Sequence, residues 1–408
     1  MPYANICHNA SGELVRDAFA NLGPVENFGD ILNQQGEVNR ATMLAANQIV
    51  HLVEGWRYFS SAMFAFTTHS PGNSLHFAYY AELRAAFSLL AYSGIWTKPY
   101  HLYCLDGAGA VHHEHINANG GSHIITWKLW NEWQKRNDAR ELILQGVSLP
   151  NKEVTLETFI PHLGGTPAIS GIKKWGYDLL RPNNDRDARN TYSYQPYWSE
   201  RSLSKMSLDD FKFMQSIWKY IMTETGSQWG FDSALIKNLL DRRIDDMASD
   251  DSFDDSTFDK DSWLNQIFLL VSQQVGIPAD EIRNMLMNND IDTSLFAIAG
   301  EELEGPKNVI SRALFMLRLA TLALQKNLRT TSNADSATKW IKHWSDHAGL
   351  WSEDSGIQPL DLLSDYEDSV YGFTPSGKLP HALFGNQMNA NAMRLCRPDV
   401  CLTWNLFK

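Results

Sequence analysis

The stretch with the densest chemistry is "RPNNDRDARNTYSYQPYW", residues 181–198, where Arg181, Arg186 and Arg189 alternate with Asp185 and Asp187 and lead into four aromatic rings. Guanidinium groups hold phosphate or carboxylate through charge-assisted, often bidentate hydrogen bonds. Tyrosine faces stack on unpaired bases. Two readings follow from the same residues. In one, Arg189, Asn190 and Tyr194 line a polar cleft at a helix start that grips a phosphate. In the other, Arg186 and Arg189 pair with Asp185 and Asp187 and cap a helix.

A second concentration is "HHEHINANGGSH", with His112, His113, His115 and His123. Imidazoles and a carboxylate such as Glu114 are what Zn²⁺ takes. Adjacent residues of an extended segment face opposite ways, so only His113 and His115 share a side. The spacing matches neither H-E-x-x-H nor a Cys/His finger, and a solvated, glycine-rich loop without metal is the favoured reading. His343 and His347, with Asp346 between them, are at helical i, i+4 spacing, and two surface histidines are again favoured over a metal clasp. There is no phosphate-binding G-x-x-x-x-G-K-[ST] loop, no dinucleotide G-x-G-x-x-G and no G-x-S-x-G elbow, so no cofactor is expected.

The elements that would position these groups are helical. An apolar stripe through Met43, Ile49, Leu52, Val53, Trp56, Phe59 and Met63 predicts a helix over 40–66. Residues 74–93 predict a second, ending at Gly94 in a left-handed cap. On that helix His76, Tyr80 and Arg84 share a stripe with Leu83 and Phe87. An unpaired buried charge is costly, so Arg84 either pairs with a neighbouring helix or walls a polar pocket. The pattern changes period across "KPYHLYCLDGAGAVHHEHI" and predicts a small β-hairpin near 99–115 turning at Asp106-Gly107. Helices resume with "SHIITWKLWNEWQKR", and Ser207 starts another as N-cap with Asp residues in its first turn. The acidic run 246–261 reads as a linker, because self-repelling carboxylates resist burial. The expected organisation is therefore a helical domain over 1–245 with a hairpin insertion, that linker, and a second helical domain over 262–408.

Composition narrows the function. The chain has 408 residues, a formal net charge of −12 and 14 tryptophans. That balance argues against coating nucleic acid through a broad basic face, which needs clustered Lys and Arg, while leaving room for a local basic site. The tryptophans predict wide aromatic packing between helices. The four cysteines, Cys7, Cys104, Cys396 and Cys401, form no C-x-x-C and no disulfide framework. With no signal-peptide pattern and no long apolar run, the expectation is a cytoplasmic protein without a membrane span.

Arg189, the polar Asn190 after it and Tyr194 resemble the R-x(4–6)-H signature of the HEPN (higher eukaryotes and prokaryotes nucleotide-binding) family, and the helices around "AYYAELRAAFSLLAYSGI" are similar in kind. The resemblance covers about residues 40–245. It implies an all-α, multi-helix HEPN-like bundle that dimerises into a metal-independent ribonuclease of bacterial toxin or antiviral defence systems. Arg189 then takes the place of the family's arginine and Asn190 that of its polar neighbour. Tyr194 stands where the family has histidine, and no arginine of the chain has a histidine at that spacing. A histidine titrating near about 6.5 exchanges protons at neutral pH, whereas a tyrosine near about 10 stays protonated. Arg186, Arg84 and His123 are the candidate substrate-binding residues, with RNA or a nucleotide as ligand. Catalysis is left open, and would be slow unless a histidine such as His123 or His162 reaches the cleft from another element. The alternative is a non-catalytic helical scaffold or adaptor whose partner is another protein or a second copy.

Overall fold

The computed structural model describes residues 2–22, 40–68, 70–116, 121–150, 153–163, 180–194, 207–222, 230–248, 259–287, 291–302, 305–331, 335, 337–339, 341–342, 366–371 and 394–401. Two short helices, α1 (Pro2–Asn9) and α2 (Glu13–Ala18), precede a long antiparallel pair, α3 (Arg40–Thr67) and α4 (Pro71–Tyr92). The apolar stripe read from the sequence is the buried face of α3, from Leu44 through Trp56 and Phe59 to Met63. Pro71 stands in the first turn of α4, where its missing N–H costs nothing. After α4 the chain turns at Gly94 with φ +80°, the left-handed conformation expected there; a Cβ would also run into the Ser11 carbonyl oxygen.

The predicted hairpin is present and has one more strand. β1 (Ile95–Lys98), β2 (His101–Leu105) and β3 (Val111–His115) form an antiparallel sheet in that order. Asp106 builds the β2–β3 turn by accepting from the backbone N–H groups of Ala108 at 2.9 Å and Ala110 at 2.8 Å. His112, His113 and His115 therefore lie on a strand rather than in a glycine-rich loop, because the turn closes ahead of them.

Helices then follow in succession: α5 (Ser122–Trp133), α6 (Asn137–Gly146), the single turn α7 (Leu156–Phe159), α8 (Pro182–Tyr194), α9 (Leu208–Ile221) and α10 (Gly230–Ala248). They continue as α11 (Lys260–Val275), α12 (Ala279–Met287), α13 (Ser294–Gly300) and α14 (Pro306–Thr330). Ser207 caps α9 in a reciprocal box with Asp210, as its sequence predicts. Tryptophans do fill the helix interfaces: Trp56, Trp127, Trp130 and Trp133 are fully buried, and Trp130 stacks on Trp133 at 4.8 Å. The acidic run is helical at both ends, since α10 reaches Ala248 and α11 starts at Lys260. Among the described residues no helix is long and apolar enough to cross a membrane. His343 and His347 lie outside the described residues.

Helix α14 follows the acidic run in sequence, yet it packs on α3 and α4 and is buried along nearly its whole length. A helix enclosed on every side has to satisfy its polar groups internally. Where α14 crosses α3, Gly55 leaves room for Leu317; a Cβ would lie 2.8 Å from the Leu317 methyl group. Trp56 donates to Thr321 at 3.3 Å and Asn327 donates to Gln48 at 2.9 Å. Two buried guanidinium groups do the rest. Arg312 grips Asp185 of α8 at 2.9 and 2.6 Å, and Arg318 grips Asp232 of α10 at 2.8 and 2.6 Å. Removing one partner of such a pair strands the other charge, so Asp232→Asn is expected to cost about 3–5 kcal/mol in chemical denaturation. The double variant Asp232→Leu/Arg318→Met should regain most of it. An Asp232→Asn protein as stable as its parent would show that the pair is not a constraint on the fold.

Candidate functional site

Residues 182–194 of that arginine-rich stretch form α8, a packed helix of 13 residues. Its start is Pro182, so Arg189 and Asn190 sit past its midpoint and not at a helix start as expected. Asp185 is fully buried against Arg312 and Ala188 is buried as well, which turns this face of α8 onto α4. Arg189 follows Asp185 by one turn on that face. Its guanidinium carbon lies 5.3 Å from the ring centre of Tyr79 and 5.6 Å from that of Tyr80, both on α4. This is cation–π range.

His123 enters from the first turn of α5. Its Nδ1 is 3.0 Å from the Tyr79 hydroxyl and 3.5 Å from an Arg189 guanidinium nitrogen. Trp127, one turn on in α5, donates its indole N–H to the same hydroxyl at 3.1 Å. Indole and guanidinium N–H groups only donate, so with Arg189 also facing Nδ1 that nitrogen is assigned as the acceptor, and the Tyr79 oxygen accepts from Trp127 and sends its own proton to His123. Nδ1 is then the acceptor and Nε2 carries the hydrogen. Burial pushes the Tyr79 hydroxyl up to about 12, which keeps that proton in place at neutral pH. Burial, followed by the charges of Arg189, Arg186 and Arg84, holds His123 below the ordinary histidine value. The positive end of α5 acts in the same direction. His76, packed on Tyr80 at 4.9 Å, is likewise held down by burial and then by Arg189.

The predicted residues are brought together in part. Arg189 and His123 meet, and Asn190 is half-buried beside them on α8. The Tyr194 side chain lies outside the described residues. Arg186 bonds Asp187 at 2.7 Å, as the helix-capping alternative requires, but the Asp185 that would have held Arg189 is held by Arg312 instead. Among the described residues Arg189 has no carboxylate within ion-pair distance, and its Nε is buried without a hydrogen-bond acceptor. Arg84 reaches Glu54 of α3 at 3.0 Å and His51 at 3.1 Å, so it pairs with the neighbouring helix, though near the surface rather than deep inside. His162 lies in a 3₁₀ turn, Ile160–His162, packed against α11.

Tyr79 and Trp127 are the site residues that sequence reasoning passed over. Their signal was spacing: Tyr79 stands three residues after His76, and Trp127 stands four after His123. Two surface cavities lie elsewhere, one of about 570 Å³ beside α1 and α6 and one of about 240 Å³ between α6 and α14. Comparison with known protein families, curated proteins and solved structures finds no match.

The depressed imidazoles have a definite pH consequence. An unfolded histidine takes up its proton near about pH 6.5, before the folded His123 and His76 do. The unfolded chain therefore binds more protons there, and these two residues make the fold lose stability as pH falls through that value. Replacing Arg189 with Met is expected to raise both titration midpoints in an NMR titration and to flatten this loss. Midpoints that stay where they were would remove Arg189 as a determinant of the site's charge state.

Proposed function

We propose that this chain is a HEPN-like protein that engages RNA or a nucleotide through Arg189 and His123, with Tyr79 and Tyr80 as the aromatic wall. The observation that carries the reading is the Arg189 guanidinium, which rests against two tyrosine rings and a neutral imidazole and has no carboxylate partner among the described residues. A phosphate would supply the acceptors that this guanidinium lacks, and a neighbouring base would find ring faces and edges beside it. A role in a bacterial antiviral defence or toxin system, and a cytoplasmic location, are part of the same proposal and rest on the family resemblance. The buried thiols Cys7, Cys104 and Cys396 support a reducing compartment.

Binding is favoured over fast chemistry. The His123 lone pair at Nδ1 already takes the Tyr79 proton, so it is not available as a general base without a local rearrangement. A missing acid–base group forfeits about 10²–10⁴ in rate. Any cleavage is therefore slow, metal-independent transesterification, with His123 Nε2–H as a donor to phosphate. The same occupied lone pair favours the second reading, a non-catalytic helical adaptor whose site holds a protein partner or a second copy.

Short fluorescent RNAs, titrated at neutral pH with and without EDTA, separate these readings. Arg189→Ala is expected to weaken RNA binding by roughly 10- to 150-fold, the equivalent of a charge-assisted contact of about 1.5–3 kcal/mol. Introducing Tyr194→His should raise EDTA-resistant cleavage if the family's arrangement is latent. RNA bound equally by parent and Arg189→Ala, or by neither, would overturn the nucleic-acid reading and leave the adaptor.

A further inference from the structure

The histidines of the sheet are not used by the Arg189 site. Leu102 and Cys104 of β2 and Ile95 of β1 are buried, which leaves His101, Tyr103, His113 and His115 on the opposite, outward face. Strand register sets His101 directly across from His115 and Tyr103 across from His113. Three imidazoles thus gather from an i, i+2 pair on one strand and a facing residue on its neighbour. The His101 ring centre is 4.9 Å from that of His113 and 5.0 Å from that of His115, and His101 Nδ1 is 2.7 Å from His113 Nε2. One side of the cluster is walled by a stack: Tyr103 lies on His113 at 4.8 Å and Trp96 on Tyr103 at 5.2 Å. The carboxylates nearby in sequence face the other way or are engaged. Asp106 bonds His112 at 2.7 Å, and Glu114 accepts from Asn5 at 3.4 Å.

We propose that His101, His113 and His115 form a three-imidazole site for a divalent transition-metal cation of the Zn²⁺ type, with its remaining coordination position open to solvent. Zn²⁺ takes neutral imidazole nitrogens at about 2.0–2.1 Å, which sets neighbouring ligand nitrogens roughly 3.3 Å apart in a tetrahedron. The His101–His113 contact is tighter than that because the two nitrogens share a hydrogen. As the rings stand, three ligand groups do not yet converge on one point. The metal displaces the shared hydrogen, which moves to the other nitrogen of the donating ring, and the rings open around the cation. His113 and His115 are exposed, and surface side chains change rotamer within nanoseconds, so these two rings can swing toward His101.

Alternation is what builds the site. Period-2 geometry puts positions 113 and 115 on one face and sends position 112 to the other. The sequence displays the H-x-H pair but not the third ligand, which depends on how β2 and β3 pair.

The test uses the full chain without a histidine tag, stripped with EDTA and desalted. Co²⁺ is titrated at pH 7.5 by visible absorption, and Zn²⁺ by competition with a chromophoric chelator. One equivalent is expected to bind with a low-symmetry Co²⁺ spectrum. His101→Ala, His113→Ala and His115→Ala should each weaken it by more than the roughly 10- to 100-fold that loss of a residue merely hydrogen-bonded to a ligand costs. His112→Ala, on the opposite face, and Arg189→Ala should leave it unchanged, which separates this site from the proposed RNA site. Melting curves check that each variant folds. The proposal is overturned by binding that survives all three single substitutions. A His112→Ala loss as large as theirs, or no binding above that of scattered surface imidazoles, overturns it equally.

Discussion

The guanidinium of Arg312 has no access to solvent, and the placement of the candidate site depends on how it is neutralised. A charge taken out of water costs several kcal/mol unless it is paired and fully hydrogen-bonded. Arg312 meets that condition with two bonds to Asp185 of α8 and a third to the Ala299 carbonyl at 2.9 Å. A third ionisable group, Glu82 of α4, is buried beside them. Burial and then the Asp185 charge push its carboxyl well above the usual carboxylate range, so it stays protonated. This cluster therefore sets one cation against one anion, beside a carboxyl that burial drives toward its neutral form. With Asp185 fixed, the rotation of α8 is fixed too, and Arg189 one turn along can only lie over Tyr79 and Tyr80.

The same bond decides the electrostatics of the surface. In an isolated helix Asp185 and Arg189 would be an i, i+4 pair, worth a few tenths of a kcal/mol at most. The buried bidentate pair with Arg312 outweighs it, because stranding a buried guanidinium costs far more than freeing a half-exposed one. Arg186 retains Asp187, an exposed carboxylate beside it in sequence. A chain with a net charge of −12 thus presents one guanidinium beside neutral rings, an outcome of competition inside the fold rather than of composition.

What the sequence made legible follows from range. Helical period, the Ser207 cap and the left-handed turn at Gly94 are decided within a few residues, and the helices lie where those signals put them. The hairpin was legible from Asp106-Gly107, while β1 was not, since the four residues Ile95–Lys98, cut off by Pro99, carry too little alternation to read as a strand. Arg189 was recognisable by residue type and by its resemblance to a family signature. Its surroundings were not, because His123 comes from 66 residues earlier and the competitor for Asp185 from 127 residues later. The helix start was misplaced for a local reason: Pro182 is a good first-turn residue, but the polar run after it lacks the apolar stripe by which helices are usually found.

Orientation of hydrogens sets what the proposed site can accept. Tyr79 takes one hydrogen bond from Trp127 and gives its own to His123, so its hydroxyl is satisfied in both senses. That fixes the His123 tautomer with Nε2 as donor, and the depressed titration of the ring keeps it neutral, so it adds no positive charge to repel Arg189. Guanidinium N–H groups only donate. What remains to meet a ligand at these residues is a set of donors and one positive charge, bordered by aromatic faces. A carboxylate-accepting or a phosphate-accepting site has this polarity, and a site for a cation or for a peptide N–H does not. The aromatic border then separates the first two, since a flat base attached to the anion gains contact area there that a simple carboxylate does not, which is why the proposed ligand is RNA or a nucleotide.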